Sequence, residues 1–205
     1  MSKKSDEKSD LVADYKERFV WLDGCITPKL ADKFRRVMAR LNKSEPAPIV
    51  LYIRGPGGEP HSALAMMNDI VNSKSPVVIV AHDFVNSACF LITQAGACRL
   101  AMAGTTFTFH PAVAVVFKKK YKEDEIQFTQ AELIDSLERL RLTDGIQLTW
   151  FLKKGRPTQR IFNLFRVETT ISVPKAQKLR LIDDYYDKKD FIKDRRIANR
   201  LLKAK

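Results

Sequence analysis

Apolar residues in this chain fall into short unbroken runs, separated by stretches in which they recur every three or four positions. The runs predict strands and the recurrences predict helices. Phe19-Val20-Trp21-Leu22 is a first strand, closed by the turn pair Asp23-Gly24. Thr27 before Pro28 reads as an N-cap with proline in the first helical turn, and Leu30, Phe34, Val37 and Leu41 then line one face of an amphipathic helix. The run 49–53 is apolar on both faces, as in a buried parallel strand. It leads through Arg54-Gly55-Pro56-Gly57-Gly58 into a helix from about 61 to 72, with Ala63, Met66, Met67 and Ile70 to pack. Residues 77–80 form the next strand and 81–86 a turn. Ser87 opens a small-residue helix over 88–94, stopped by Gly96-Ala97, and 105–109 is a strand ending on His110. This rhythm predicts an α/β fold with right-handed crossovers.

Beyond an irregular, charged region at 114–128, Thr129 and Glu132 fit a capping box for a helix running to about 154. Gly145 within it is either tolerated, at a cost of about 1 kcal/mol, or marks a bend. Gly155 and Pro157 stop the helix. A helix this long projects from a compact core, so its leucines serve a subunit interface or pack on their own domain. A short helix over 157–165, the segment 166–172, a helix over 174–180 and Leu181-Ile182-Asp183 complete the domain. The expected organisation is a mobile polar tail (1–15), one domain (16–185) and a basic extension (186–205).

With 205 residues and 45% apolar content, one domain can bury a real core. No run nears the roughly 18 apolar residues of a membrane span, and the charged N-terminus has no signal-peptide core, so a cytoplasmic protein is expected. Cys25, Cys89 and Cys98 lack metal-ligand spacing and read as buried free thiols, with no metal or other cofactor implied. The net charge of +12 is concentrated in Lys118, Lys119 and Lys120 and in the tail from 188 to 205. Such charge attracts nucleic acid, or simply solvates a loop and a surface helix. No zinc-finger spacing, aromatic RNA-binding signature or helix-turn-helix accompanies it, so nucleic-acid binding is not the reading adopted.

Candidate chemistry gathers between 57 and 110. A serine at the start of a buried helix, followed by a histidine at the end of the next strand, suits nucleophilic catalysis. The helix start offers N–H groups to an anion and the imidazole can take the hydroxyl proton. Each signal is weak alone, since a serine there is more often an N-cap. His61, in a turn or first helical turn, and His82, just past a strand, read as satisfied surface groups. Gly57-Gly58 follows a strand neighbouring the one before Ser87, which brings the Gly58 and Ala88 N–H groups towards one point as a two-donor oxyanion hole. A plain strand-to-helix turn explains the glycines equally well.

Taken together, the Gly-Pro-Gly-Gly turn, Ser87 with Gly96-Ala97 nine and ten positions later, the strand into His110-Pro111, the long helix, and Ser172 through Ala176 to Leu181-Ile182-Asp183 resemble the Clp protease proteolytic subunit (ClpP) family over about 19–183. The resemblance implies a ClpP/crotonase-type fold and a serine endopeptidase that cleaves peptides or unfolded proteins through an acyl-enzyme. It also implies heptameric homo-oligomeric rings joined through the protruding helix. Ser87 would be the nucleophile, His110 the base, and Gly58 and Ala88 the oxyanion donors. Counting back from Leu181-Ile182-Asp183 places Glu168 where the family has its triad aspartate; a salt bridge to Arg166 is the competing account. Around the serine the family carries small residues, where this chain has Asp83, Val85, Asn86, Ala88 and Cys89. The first strand begins by Phe19 after a polar tail, so the family's N-terminal hairpin is expected to be missing, which counts against an ATPase partner. The alternatives are a catalytically silent ring subunit, motivated by the altered surroundings of Ser87, and a crotonase-type acyl-CoA enzyme, which would not need a serine and histidine here.

Overall fold

The computed structural model describes residues 10–43, 46–111, 138, 141–146, 149–150, 159–187, 189–191 and 193–194. Among them, eight strands and five helices of stated bounds form a mixed α/β domain built on one sheet, with strands in the order β1-β2-β3-β4-β5-β8 and a branch, β6-β7, leaving from β4.

β1 (Asp10–Asp14) and β2 (Phe19–Asp23) are antiparallel, with Asp10 opposite Asp23 and Asp14 opposite Phe19. Residues 10–14 are therefore sheet, where a mobile tail was expected, and the domain starts earlier than 16. Leu11 and Val12 are buried, one on each face, and the Asp14 carboxylate caps the turn by accepting from the Lys16 and Glu17 N–H groups. A five-residue strand with two flanking aspartates gives little alternation to read. β1 and β2 thus form a hairpin within the sheet, with the Phe19 strand as its second arm.

α1 (Pro28–Leu41) begins as expected: the Thr27 side chain accepts from the Leu30 N–H at 3.2 Å, and Leu30, Phe34, Val37 and Leu41 are buried. β3 (Ile49–Gly55) runs parallel to β2 and is covered on both sides. Ile49, Leu51 and Ile53 join the main core with α1, α2 (Pro60–Val71) and α3 (Ala88–Thr93), whereas Tyr52 faces a smaller aromatic cluster on the opposite face.

β4 (Val77–Asn86) corrects the expected turn at 81–86. The strand continues through a bulge: Ile53 faces Ala81, but Gly55 faces Val85, and Asp83 takes the left-handed backbone at φ 56°. Its first half pairs with β5 (Cys98–Ala101) and its second half with β6 (Thr106–Phe109). Changing neighbours at the bulge steers the end of β4, and Ser87 after it, away from the plane of the main sheet. β6 is antiparallel to β7 (Thr169–Ser172), which follows α4 (Gln159–Arg166) and precedes α5 (Val173–Lys178). β8 (Asp184–Tyr185) returns beside β5.

Of the helix expected over 129–154, residues 138, 141–146 and 149–150 are described, and all are helical. The helix therefore passes through Gly145, where a Cβ would meet open space. The capping box and the charged region 114–128 lie outside the described residues. Trp150 packs against the main core, so this helix covers its own domain at that point. Within the expected C-terminal extension, Phe191 is buried in the aromatic cluster.

Candidate active site

Ser87 stands between β4 and α3 at φ 50° and ψ −122°, a region that non-glycine residues rarely occupy, and its side chain makes no capping bond. Its backbone is held from both sides. The Ser87 N–H donates to the Thr108 carbonyl of β6 at 2.7 Å, and the Ser87 carbonyl accepts from Leu91 N–H at 3.0 Å. Such a strand-to-helix elbow presents a side chain at the end of a sheet instead of folding it back as a cap.

The glycine turn sits against this elbow. A Cβ on Gly57 would come within 2.6 Å of the Ser87 Cβ and 3.0 Å of the Ala88 nitrogen, so only glycine allows the approach. Gly57 carbonyl accepts from Ile26 N–H at 2.7 Å, and Ile26 carbonyl accepts from Glu59 N–H at 2.9 Å. Because a trans peptide points its N–H opposite its carbonyl, the Gly58 N–H points away from Ile26. Ala88 is the first residue of α3, where the N–H has no intrahelical acceptor. Gly58, at φ 141°, forms an isolated parallel bridge with Ile26, and a Cβ there would reach 2.2 Å from the Ile26 oxygen.

His110 follows β6, half-buried. Asn86 is level with Thr108, so Ser87 and His110 both lie just past the ends of adjacent parallel strands. His110 Nδ1 lies 2.6 Å from the Pro111 carbonyl oxygen. A carbonyl only accepts, so this contact puts the ring proton on Nδ1 and leaves Nε2 as the free base. Glu168 is exposed, at φ 44°. Phe109 pairs with Thr169, so continuing the antiparallel register by one step sets Glu168 opposite His110. No hydrogen bond joins the two, and Glu168 makes no salt bridge to Arg166 among the described residues.

The altered residues around Ser87 have physical roles. Val85 is fully buried beside Gly55 and Phe107, so its bulk goes into the core and not into the site. Cys89 is buried beneath the glycine turn, and burial pushes its thiol up to about 12, which removes it as a rival nucleophile. Cys25 and Cys98 are only half-buried, in contrast to the buried thiols expected. Asp83 accepts from Arg54 Nη1 at 3.2 Å, while the Arg54 guanidinium also holds Asp23, tying together the ends of β2, β3 and β4. Burial raises Asp83, but His82 and Arg54 together hold its carboxyl below the usual range. The sequence signal for this clamp was an arginine before one turn and an aspartate four positions before the serine, opposite charges at neighbouring strand ends. His82 also departs from expectation. It lies within β4, only 2% exposed, and is not a surface group. His61 is exposed and bonds Glu59.

The Clp protease family model matches residues 3–189. The chain belongs to the Clp protease family. The fold agrees: a mutant of ClpP1 from Listeria monocytogenes superposes with a TM-score of 0.74 at 17% identity, covering 86% of this chain and 95% of that one. The ClpP fold read from the sequence is thus the observed fold. At the level of the family this is a ClpP-like serine protease chain. Among the described residues, no helix is long and apolar enough to cross a membrane.

Proposed function

We propose that this Clp family chain is an active serine endopeptidase, acting on peptides or unfolded proteins within a homo-oligomeric ring in the cytoplasm. The observation that carries the proposal is the elbow at Ser87. A serine serving only as a helix cap has no reason to adopt φ 50° and leave its hydroxyl uncommitted.

In this reading Ser87 Oγ attacks the peptide carbonyl carbon while His110 Nε2 takes its proton. The carbonyl oxygen, now an anion, accepts from the Gly58 and Ala88 N–H groups, each such donor contributing about 2.7–4 kcal/mol to barrier lowering. His110 returns the proton to the leaving amine as the C–N bond breaks, leaving an acyl-enzyme on Ser87. Water, deprotonated by the same imidazole, then releases the acid. Pro111 carbonyl holds the reactive tautomer in the conformation described, and Glu168 is the carboxylate placed to replace it.

Labelling by a fluorophosphonate tests this directly. Ser87→Ala is expected to abolish labelling, and His110→Ala to slow it by about a thousandfold or more. Glu168→Gln should slow it by less than about tenfold, because a carbonyl already accepts the Nδ1 proton. An intact oligomer that never labels between pH 6 and 9 would support the second reading, a silent ring subunit. One observation favours that alternative: the His110 Nδ1 bonds Pro111 instead of the proposed triad acid. Hydrolysis of an acyl-CoA that survives Ser87→Ala would instead point to crotonase-type chemistry.

A further inference from the structure

The face of the sheet opposite α1, α2 and α3 carries a second apolar cluster of Val12, Phe19, Trp21, Tyr52, Val80 and Phe191. Phe191 comes from the far C-terminal end of the described chain. After β8, Tyr186 N–H donates to the Ala101 carbonyl at 3.0 Å, anchoring the segment beside β5. From there it crosses the sheet. The Tyr186 hydroxyl lies 2.9 Å from that of Tyr52 on β3, which itself donates to the Asp194 carboxylate. Lys193 reaches Glu17 in the β1–β2 turn at 3.5 Å.

Beneath this crossing segment lies His82. Its ring centroid is 4.9 Å from Trp21 and 5.0 Å from Phe191, which are themselves 5.5 Å apart, so the imidazole closes a triangle with an aromatic residue of the sheet and one of the segment. Nδ1 lies 3.3 Å from an Asp83 carboxylate oxygen. A carboxylate accepts, so Nδ1 carries the proton and Nε2 is the lone-pair nitrogen. Nε2 is buried with no hydrogen-bond partner among the described residues. The peptidase reading assigns this group no task.

We propose that the segment carrying Tyr186, Phe191 and Asp194 is a detachable strap over the outer face of the sheet, released when His82 takes up a second ring proton. While the strap is docked, a proton on Nε2 creates a buried N–H donor with no acceptor, next to Phe191. Lifting the strap opens Nε2 to water and removes that penalty. Burial accordingly pushes docked His82 down to about 4, against the opposing pull of Asp83. An exposed imidazole titrates near 6.5. The docked state therefore binds fewer protons than the open one, and acid favours opening. Docking loses about tenfold per pH unit from about 6.5 down to the docked value, and nothing further below it.

The charged groups around the ring do not reverse this sign. Asp83 on β4 and Asp23 on β2 raise the affinity of His82 for a proton, and Arg54 on β3 lowers it. From the strap, Asp194 faces Tyr52, and Lys193 pairs with Glu17 at the edge. Asp83 is itself held below the usual carboxylate range by His82 and Arg54, so it does not titrate with the imidazole.

Hydrogen–deuterium exchange on the full chain reads the opening. After correction for intrinsic exchange, protection of a peptide covering 186–194 should fall about thirtyfold between pH 7.5 and 5.0. Protection over 77–81 in the sheet should hold. His82→Phe keeps a ring against both Trp21 and Phe191 and should leave strap protection flat over the same range. Asp194→Asn and Glu17→Gln should retain the pH response, which keeps the test open if the His82 variant misfolds. A flat response in the unmodified chain, an undiminished response in His82→Phe, loss of the response in either carboxylate variant, or parallel loss over 77–81 would each overturn the proposal.

Discussion

Ser87 pays a backbone cost of about 1–3 kcal/mol for its conformation, and the two bonds that hold it, to Thr108 and from Leu91, use main-chain atoms only. Removing the hydroxyl therefore leaves the strain, whereas removing the Cβ relieves it. Ser87→Gly should melt about 2–4 °C higher than Ser87→Ala for each kcal/mol relieved, with labelling absent in both. Equal melting temperatures in the two variants would show that the elbow is unstrained. Asp83, at φ 56°, also occupies a backbone suited to glycine, but its carboxylate is bound by Arg54 and His82, so the same substitution there exchanges backbone relief for a lost clamp.

At the scale of elements, α5 ends in a Schellman motif: Leu181 N–H donates to Ala176 carbonyl at 2.9 Å and Arg180 N–H to Gln177 carbonyl at 2.8 Å. Arg180 then carries the left-handed φ of 57°, a position glycine fills more readily, and its side chain is exposed. Arg180→Gly should stabilise the domain by about 0.5–1 kcal/mol in a denaturant melt, and a loss of stability would mean that the arginine makes a contact the motif does not need. The turn also delivers Asp183 to β5, where its carboxylate accepts from Arg99 Nε at 3.1 Å and from the Arg99 N–H at 2.8 Å, giving the closing Leu-Ile-Asp its structural purpose. Elements with a strong period were legible in the sequence: the α1 stripe from Leu30 to Leu41, and the two-sided run of β3. Of the short strands, β2 and β6 were legible and others were not. β1, β5 and β7 have four or five residues each, with no long run of apolar residues to mark them, and the second half of β4 looked like a turn because His82 and Asp83 interrupt its apolar run at a bulge. The same limit applies to the candidate site. Ser87 and His110 stood out by residue type at element ends, but the β6–β7 register that sets Glu168 opposite His110, the Pro111 carbonyl on Nδ1 and the Arg54–Asp83 clamp depend on strand pairings that no local pattern encodes.

Across the whole molecule, the two faces of the sheet are unequal. Among the described residues, the main core draws on α1 to α5 and on most strands, and none of its members lies beyond Ile182, whereas the opposite face is closed by Phe191 of the C-terminal segment. This asymmetry predicts what truncation after Asp187 does. Among the described residues, the core and the elbow at Ser87 keep their contacts, so the shortened chain should fold and retain its fluorophosphonate labelling rate if the peptidase reading holds. The loss is the burial of one phenylalanine with its aromatic contacts, together with the Tyr52–Asp194 hydrogen bond and the exposed Lys193–Glu17 pair; the apolar part, about 2–3 kcal/mol at most, corresponds for a chain of this size to a melting temperature lower by about 4–12 °C. Trp21 and Tyr52 would meanwhile become accessible, giving an apolar patch of the kind that binds 8-anilinonaphthalene-1-sulfonate or drives self-association. Dye binding by the truncated chain but not by the full chain is the expected result, with far-ultraviolet circular dichroism reduced only by the short helical stretch removed after Asp187. A truncated chain that fails to fold would show instead that the aromatic cluster is part of the folding core, and that the sheet depends on both its faces to form.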